Sequence, residues 1–282
     1  MVKDAIKIVK GEWEAYISPR LGGNVIKLTH KGKDVLVPLV DEEQMRVSPH
    51  LQGAPILMPA NRTYKGKFTF EGKEYYLPIN EPGTESNLLG SVLYEEFELI
   101  TKEENSVTLR LSDTEARCYP FPFELTVIYS LTERGFCSEH IVRNEGGQNM
   151  PLTFALHTTF VAPEIFRVPL TLRQENDSLD LPTGRYIPLT AEEEKYVSGY
   201  PSCSTYISGY YLSGGTKAEV GDYIYEVSCN FDHWVFYNGR INSGFICIEP
   251  QAGKVNGLNI EDGHLVVKKG EKVKFTTSIS AK

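Results

Sequence analysis

Apolar and polar residues alternate along most of this chain with a period close to two, far more often than with the 3.6-residue period of a helix. Alternating or β-branched runs such as SVTLRL at residues 106–111 and FELTVIYSL at 123–131 each predict a strand. Sixteen prolines are spread along the sequence and would break most helices of useful length. The pattern therefore predicts an all-β protein.

Glycines flanked by charged residues separate several of these runs. A glycine supplies the positive φ that a tight turn requires, so each such segment predicts a β-hairpin. The predicted turns lie at Gly32, Gly72, Gly135 and Gly270. One short helix is expected within residues 190–197, because Thr190 and Glu193 have the spacing of a capping box.

Length and composition favour one architecture. The chain has 282 residues, of which 41% are hydrophobic and 11% aromatic, enough to build a large core. No repeat of solenoid or propeller period and no low-complexity linker divides the sequence. Because β-sandwiches run to roughly 200–250 residues as one domain, we expect residues 1–282 to form a single large β-sandwich.

Charge excludes several classes of partner. The formal net charge is −8, which would repel nucleic acid and anionic membrane surfaces. No apolar run approaches the length needed to cross a bilayer. Asp4 and Lys7 are charged where a signal peptide would need its apolar stretch, so we expect a cytoplasmic protein.

Motif spacing gives no sign of a metal or cofactor. The five cysteines are odd in number and lack CxxC spacing, which predicts neither a disulfide framework nor a zinc knuckle. The six histidines show neither HxH nor HExxH spacing. GxSxG, GxGxxG and P-loop patterns do not occur. We therefore expect no metal and no cofactor.

The candidate chemistry lies at the ends of apolar segments. Glu249 follows the run FICI, and His157 follows PLTFAL. One carboxylate and one imidazole, each held by a rigid β element, can act as base and acid toward a bound substrate. Asn61 and Arg62 end the stretch GAPILMPANR, where such a polar pair could hold a hydroxylated ligand.

Four segments resemble, in order along the chain, the successive motifs of the aldose 1-epimerases, also called galactose mutarotases. They are GAPILMPANR at 53–62, RNEGGQNMPLTFALHTTF at 143–160, LPTG at 181–184 and FICIEPQAG at 245–253. The resemblance implies a galactose mutarotase-like supersandwich and a cofactor-free interconversion of the α and β anomers of aldoses. It implies that His157 is the catalytic acid, Glu249 the catalytic base and Arg62 a residue that holds sugar hydroxyls.

Two positions depart from the family pattern. The family usually has His before Gly in a segment where this chain reads NLLG at 87–90, so Leu89 stands where an imidazole facing the sugar is expected. The acidic sugar ligand of the family is not identifiable between LPTG and the final Glu motif. Asp232 is a weak candidate for it, and the segment SGYYLSGG offers Tyr210 and Tyr211 instead.

The other histidines receive different expectations. His30 and His264 lie in turn-like stretches and are expected to face water, and His140 falls in an alternating strand and is expected to be structural. His50 and His233 stay open, since either could lie near the cleft.

Three functions compete. The first is a mutarotase acting on a free aldose, and the second is a sugar-binding protein on the same scaffold whose chemistry has decayed, which Leu89 motivates. The third is a glycoside-processing enzyme, the weakest because such enzymes use two carboxylates and only Glu249 has a motif around it. The expected partner is a small-molecule sugar, and monomer and homodimer both stay open.

Overall fold

The computed structural model describes residue 2, residues 4–48 and residues 50–282. The strands form where the sequence alternates. Along Phe123–Thr132 every second side chain from Phe123 to Leu131 is buried, and Ser106–Asp113 follows the same rule. Both segments predicted as strands are thus confirmed.

Strands follow one another along most of the described chain. The first nine are β1 (Ile6–Lys10), β2 (Trp13–Ser18), β3 (Asn24–His30), β4 (Lys33–Asp34), β5 (Ile56–Leu57), β6 (Arg62–Tyr64), β7 (Lys67–Phe70), β8 (Lys73–Tyr76) and β9 (Ser86–Leu88). The next nine are β10 (Glu98–Lys102), β11 (Ser106–Asp113), β12 (Phe123–Thr132), β13 (Gly135–Asn144), β14 (Met150–Leu152), β15 (Phe154–Leu156), β16 (Thr159–Val161), β17 (Ile165–Arg167) and β18 (Leu170–Asn176). The last are β19 (Pro182–Pro188), β20 (Tyr200–Pro201), β21 (Ser208–Ser213), β22 (Lys217–Val220), β23 (Tyr223–Val227), β24 (His233–Tyr237), β25 (Phe245–Ala252), β26 (Leu265–Val267) and β27 (Lys272–Ala281).

Two large sheets dominate the architecture. One has nine strands in the order β10-β11-β12-β13-β27-β23-β22-β17-β20. The other has eight, with the path β19-β18-β21-β24-β25-β15-β5 and β16 paired to β25. A four-stranded sheet, β1 to β4, and the pairs β6-β9, β7-β8 and β14-β26 complete the set.

The two large sheets pack face to face through aromatic side chains. Phe154 of β15 stacks on Phe275 of β27 with ring centroids 4.5 Å apart. Phe166 of β17 meets Phe236 of β24 edge-on at 5.7 Å. Aromatic contacts of this kind bury large apolar area and fix the relative position of two layers. The predicted all-β sandwich is confirmed.

Three of the four predicted hairpins form and one does not. The turns at Gly32, Gly72 and Gly135 join antiparallel neighbours β3-β4, β7-β8 and β12-β13. Gly270 has the expected positive φ of 74°, but its flanking strands belong to different sheets. β26 pairs with β14, whereas β27 pairs with β13 and β23. The fourth hairpin prediction was therefore wrong, because a local turn signal does not specify the pairing partner.

Two short helices occur in the described residues. Helix α1 (Glu42–Val47) was not predicted, although Asp41 accepts from the Gln44 N–H at 3.1 Å as a capping residue. Helix α2 (Glu194–Ser198) confirms the predicted helix, since Thr190 and Glu193 exchange side-chain to backbone hydrogen bonds of 2.8 and 3.2 Å. With six and five residues, both are far too short to cross a bilayer.

The outermost strands of both large sheets are short, irregular or bounded by proline. All five residues of β10 are exposed, and its pairing with β11 shifts register between Leu99 and Thr101. At the other edge, β20 has two residues and ends at Pro201. In the eight-stranded sheet β19 begins and ends with proline, and β5 has only two residues.

Candidate functional site

A pocket of about 270 Å³ opens on the eight-stranded sheet. Its floor is a row of side chains from three adjacent strands, because Tyr210 pairs with Val235 and Val235 pairs with Glu249 across β21, β24 and β25. Paired residues of antiparallel neighbours point to the same face of a sheet. All three line the pocket.

His157 and Glu249 meet on this floor. Glu249 lies within β25 rather than at its end, and His157 follows β15 directly, where its backbone N–H donates to the Pro55 carbonyl at 2.9 Å. The His157 Nε2 to Glu249 Oε1 distance is 3.2 Å. The two residues are 5% and 2% exposed, so the prediction that they face one cleft is supported by direct contact.

Burial disfavours the charged form of both groups. It raises the pKa of Glu249 well above its ordinary value, against a smaller opposing effect of the Arg62 charge. It lowers the pKa of His157 well below its ordinary value, and the neighbouring His50 lowers it further. Both shifts favour the neutral forms, a protonated carboxyl and an unprotonated imidazole, and the contact between the two groups lets a proton pass from one to the other.

Arg62 lies on the pocket wall, as expected, but is engaged by other protein groups. Its Nε and Nη2 donate to the two carboxylate oxygens of Glu81 at 2.6 and 2.8 Å. Its Nη1 donates to the Tyr210 hydroxyl at 2.7 Å and lies 3.7 Å from Asp180 Oδ2. Burial favours a higher pKa for Glu81, but the hydrogen bonds from Arg62 and Thr84 outweigh it and hold the pKa below the ordinary value.

Asn61 and Leu89 both line the pocket. Asn61 is 6% exposed, and its Oδ1 is buried without a hydrogen-bond partner within the described residues. Leu89 packs with Leu57, Leu93 and neighbouring apolar residues and has a left-handed φ of 66°. The sequence expectation that this part of the cleft is apolar agrees with that packing.

Asp232 lies outside the pocket lining. Its Oδ1 accepts from the Gly253 N–H at 2.9 Å and from His233 Nδ1 at 2.7 Å, which orders the start of β24. The proposed sugar contact through Asp232 therefore finds no support in this geometry. The alternative Tyr210 does line the pocket, whereas Tyr211, on the opposite face of β21, donates to the buried Glu193 at 3.0 Å.

Several pocket residues were missed by sequence reasoning or left open. His50 lines the cleft edge-on to His157, with ring centroids 5.0 Å apart, and burial lowers its pKa to about 4. Glu81, Asp180 and Tyr206 also line it. They come from loops far apart in the chain, and no local pattern marks them.

The remaining histidines lie elsewhere. His140 is buried between the sheets, as expected for a structural residue. The Tyr186 hydroxyl and His233 Nε2 form a hydrogen bond of 2.6 Å. His30 is not simply solvated, because it stacks on Trp13 at 4.2 Å, and His264 donates through Nδ1 to the Gly257 carbonyl at 3.0 Å. Both residues are partly exposed, so neither contact contradicts the expectation that they face water.

The arrangement can bind a hydroxylated ring and move a proton across it. The Asn61 and Ser208 side chains and the Arg62 network offer polar contacts, and Tyr206 and Tyr237 offer ring faces. The His157–Glu249 pair can give a proton to one atom and take one from another.

Comparison with known proteins agrees with this picture. The sequence model of the family described as aldose 1-epimerase matches residues 4–280. Among curated proteins, the uncharacterized protein YihR of Escherichia coli K12 is 27% identical over 172 residues, covering 58% of this chain and 54% of YihR. Galactose mutarotase of Rattus norvegicus is 29% identical over 173 residues, covering 56% and 49%. The matched segments thus span about half the length of these curated relatives.

Solved structures share the fold over nearly the whole chain. A galactose mutarotase-like protein from Clostridium acetobutylicum superposes with a TM-score of 0.90 at 23% identity, covering 99% of this chain and 95% of that one. A galactose mutarotase and aldose epimerase homologue from C. elegans gives 0.80 at 17% identity, with 98% of each chain covered. At these identities the likeness establishes the galactose mutarotase-like fold.

Proposed function

The chain belongs to the aldose 1-epimerase family, and we propose that it interconverts the α and β anomers of a free aldose by acid–base catalysis. The observation that carries the proposal is the buried contact of 3.2 Å between His157 Nε2 and Glu249 Oε1 on the floor of a polar pocket. Anomer exchange moves only protons and needs an acid and a base within reach of the same ring.

In the reactive form of this proposal the proton of the pair lies on His157, so that Glu249 is the base and His157 the acid. Glu249 removes the proton of the O1 hydroxyl, electrons from O1 form the C1 carbonyl, the C1–O5 bond breaks, and His157 gives its proton to the ring oxygen O5. The C1–C2 bond then rotates, and closure runs the same steps in reverse. The pair holds one proton before and after the cycle, so no net charge is created in the buried site.

His50 is part of the proposed machinery. Its ring edge faces His157 at 5.0 Å, and its lowered pKa of about 4 keeps it neutral at physiological pH. A neutral imidazole both donates and accepts hydrogen bonds. We therefore assign it contact with a sugar hydroxyl, on a cleft where Leu89 supplies only apolar surface.

The charge of the pocket favours a neutral sugar over an anionic one. Glu81, Asp180 and Glu249 line it, and among the described lining residues Arg62 is the one fixed positive charge. Arg62 already donates two N–H groups to Glu81 and one to Tyr210, which engages three of its five donors. A phosphorylated sugar would meet uncompensated negative charge.

Polarimetry on freshly dissolved pure anomers tests the proposal. Added protein should accelerate mutarotation of at least one common aldose, and glucose should be turned over faster than glucose 6-phosphate. Binding of an aldose without any acceleration would favour the second candidate, a sugar-binding protein on this scaffold, for which Leu89 is the motivating residue. Neither binding nor acceleration with any aldose would contradict both.

A further inference from the structure

Cys247 lies beside the acid–base pair and has no part in the proposed reaction. It precedes Glu249 by two positions on β25, so both side chains leave the same face of the strand. Its cross-strand neighbour Tyr237 lines the cleft. The Cys247 side chain is fully buried, with its sulfur 3.5 Å from Thr159 Oγ1.

One ligand atom from each of His157, Cys247 and Glu249 lies within 4.8 Å of the other two. In a tetrahedral zinc site, bonds of about 2.0–2.3 Å put neighbouring ligand atoms about 3.3–3.7 Å apart. The distance of 3.2 Å between His157 Nε2 and Glu249 Oε1 is just short of this range. Side-chain shifts on the order of 1 Å would close the trio around one ion.

The donor set selects a class of metal. A thiolate, an imidazole and a carboxylate suit a borderline ion such as Zn²⁺ or Co²⁺ and fit Mg²⁺ or Ca²⁺ poorly, because those prefer oxygen ligands alone. His157 and Glu249 line the pocket and Cys247 lies behind them, so an ion held by the three would take its fourth ligand from the cleft side, as in an exchangeable rather than a closed structural site. The sequence predicted no metal because the donors do not follow a spacing motif.

We infer that His157, Cys247 and Glu249 form a binding site for a borderline divalent metal ion, and that an ion bound there inhibits the enzyme. Ligation engages the imidazole nitrogen and the carboxylate that would move the protons. The binding half of the inference is independent of the proposed function, whereas the inhibition half rests on it.

The charge balance supports burial of such an ion. In the bound state one thiolate, one carboxylate and one neutral imidazole surround the divalent ion, so the charges of ligands and metal cancel and no uncompensated charge is buried.

Titration of the reduced, metal-free protein with Co²⁺ tests binding without any sugar. We expect one Co²⁺ per chain and a near-ultraviolet thiolate-to-metal charge-transfer band, which Zn²⁺ abolishes by displacement. Cys247→Ser should lose the band, and Glu249→Gln should weaken Co²⁺ binding at least about tenfold. Cys229→Ser, at an exposed cysteine, is the matched control and should leave the band unchanged.

Inhibition is tested separately by polarimetry. Zn²⁺ should slow mutarotation by the wild-type protein, a chelator should restore the rate, and Cys247→Ser should need at least about ten times more Zn²⁺ for the same fractional loss. Absence of the Co²⁺ band, or a band that survives in Cys247→Ser, overturns the site. A clear band in a protein that turns over no aldose would contradict the proposed function and leave the metal site standing.

Discussion

Two buried imidazoles lie on opposite sides of the eight-stranded sheet, and their surroundings differ. His140 of β13 lies between the sheets against Phe154 and Tyr129, with ring centroids 5.6 and 5.9 Å away, and neither ring nitrogen has a hydrogen-bond partner among the described residues. His157 lies on the cleft side against Glu249 at 3.2 Å. Burial lowers the pKa of both. A lowered histidine pKa therefore indicates burial in both regions. What distinguishes His157 from His140 is its contact with Glu249 and its position on an open pocket.

The largest expected effect comes from removing the carboxylate that distinguishes the cleft. Glu249→Gln keeps the shape of the side chain but cannot accept the O1 proton, so kcat should fall by about 10²–10⁴-fold. Polarimetry with pure anomers measures it, with circular dichroism as the check of folding. A variant that retains more than about a tenth of the wild-type rate would contradict the base assignment.

The thermal stability of the same variant should depend on pH differently from that of the wild type. The pKa of Glu249 is raised in the folded state, so the folded chain binds more protons than the unfolded chain above about pH 4.5, and stability is lost as pH rises toward the folded-state pKa. Glutamine does not titrate. The Tm of Glu249→Gln minus that of the wild type should therefore increase with pH, whereas a difference independent of pH would contradict the raised pKa.

Matched substitutions test the two imidazoles directly. His157→Gln should lower kcat by about 10²–10⁴-fold, because the amide cannot transfer a proton to the ring oxygen. His140→Gln should leave kcat within about threefold of the wild type, since that side chain contacts no pocket residue in its ring pairs. Equal losses in folded samples of both variants would remove the distinction between the regions.

Leu89→His adds an imidazole to the cleft side. A hydrogen bond to a charged partner contributes about 1.5–3 kcal/mol, so the gain in kcat/KM on galactose or glucose should be about ten- to a hundredfold. The variant should fold, because Leu89 has a φ of 66° and histidine occupies that left-handed region more readily than leucine. A folded variant without gain on any aldose would mean that Leu89 does not occupy the position of the missing imidazole, or that the cleft is built for another ligand.

The smallest effect is expected on the inter-sheet side. Burial lowers the pKa of His140 to about 3, so its contribution to stability is present above about pH 6.5 and is lost as pH falls from there toward 3. At pH 5 the loss is about 2 kcal/mol. His140→Leu should therefore show a smaller fall in unfolding free energy between pH 7.5 and pH 5 than the wild type, measured by urea unfolding. An equal fall in both proteins would show that His140 does not titrate differently on folding.

Local features were predictable from the sequence and long-range ones were not. Alternation fixed the strands at 106–111 and 123–131, and the capping box fixed α2, because each depends on neighbours a few residues away. The hairpin predicted at Gly270 was wrong, because the strands on either side of it pair with strands far away in the sequence. In the site, resemblance to the family motifs predicted His157, Glu249 and Arg62, and all three line the pocket.

The partners of those residues remained hidden for the same reason. Glu81 contacts Arg62 from a loop, and Tyr210 contacts it from β21. Cys247 becomes a candidate metal ligand only because the fold places it near His157 and Glu249. No short-range pattern encodes such encounters. Whether one domain covers residues 1–282, and whether the chain is a monomer or homodimer, stay predictions.

The character of the outermost strands has a consequence for how this chain behaves when concentrated. Unpaired strand edges are templates for growth by another chain, and an all-β protein has many of them. In this protein none of these described outer strands offers a long, flat edge to which another chain could add a strand. β10 is exposed and shifts register, β19 is bounded by prolines, and β5 and β20 have two residues each. Fibrillar growth by strand addition is therefore disfavoured at all four outer strands.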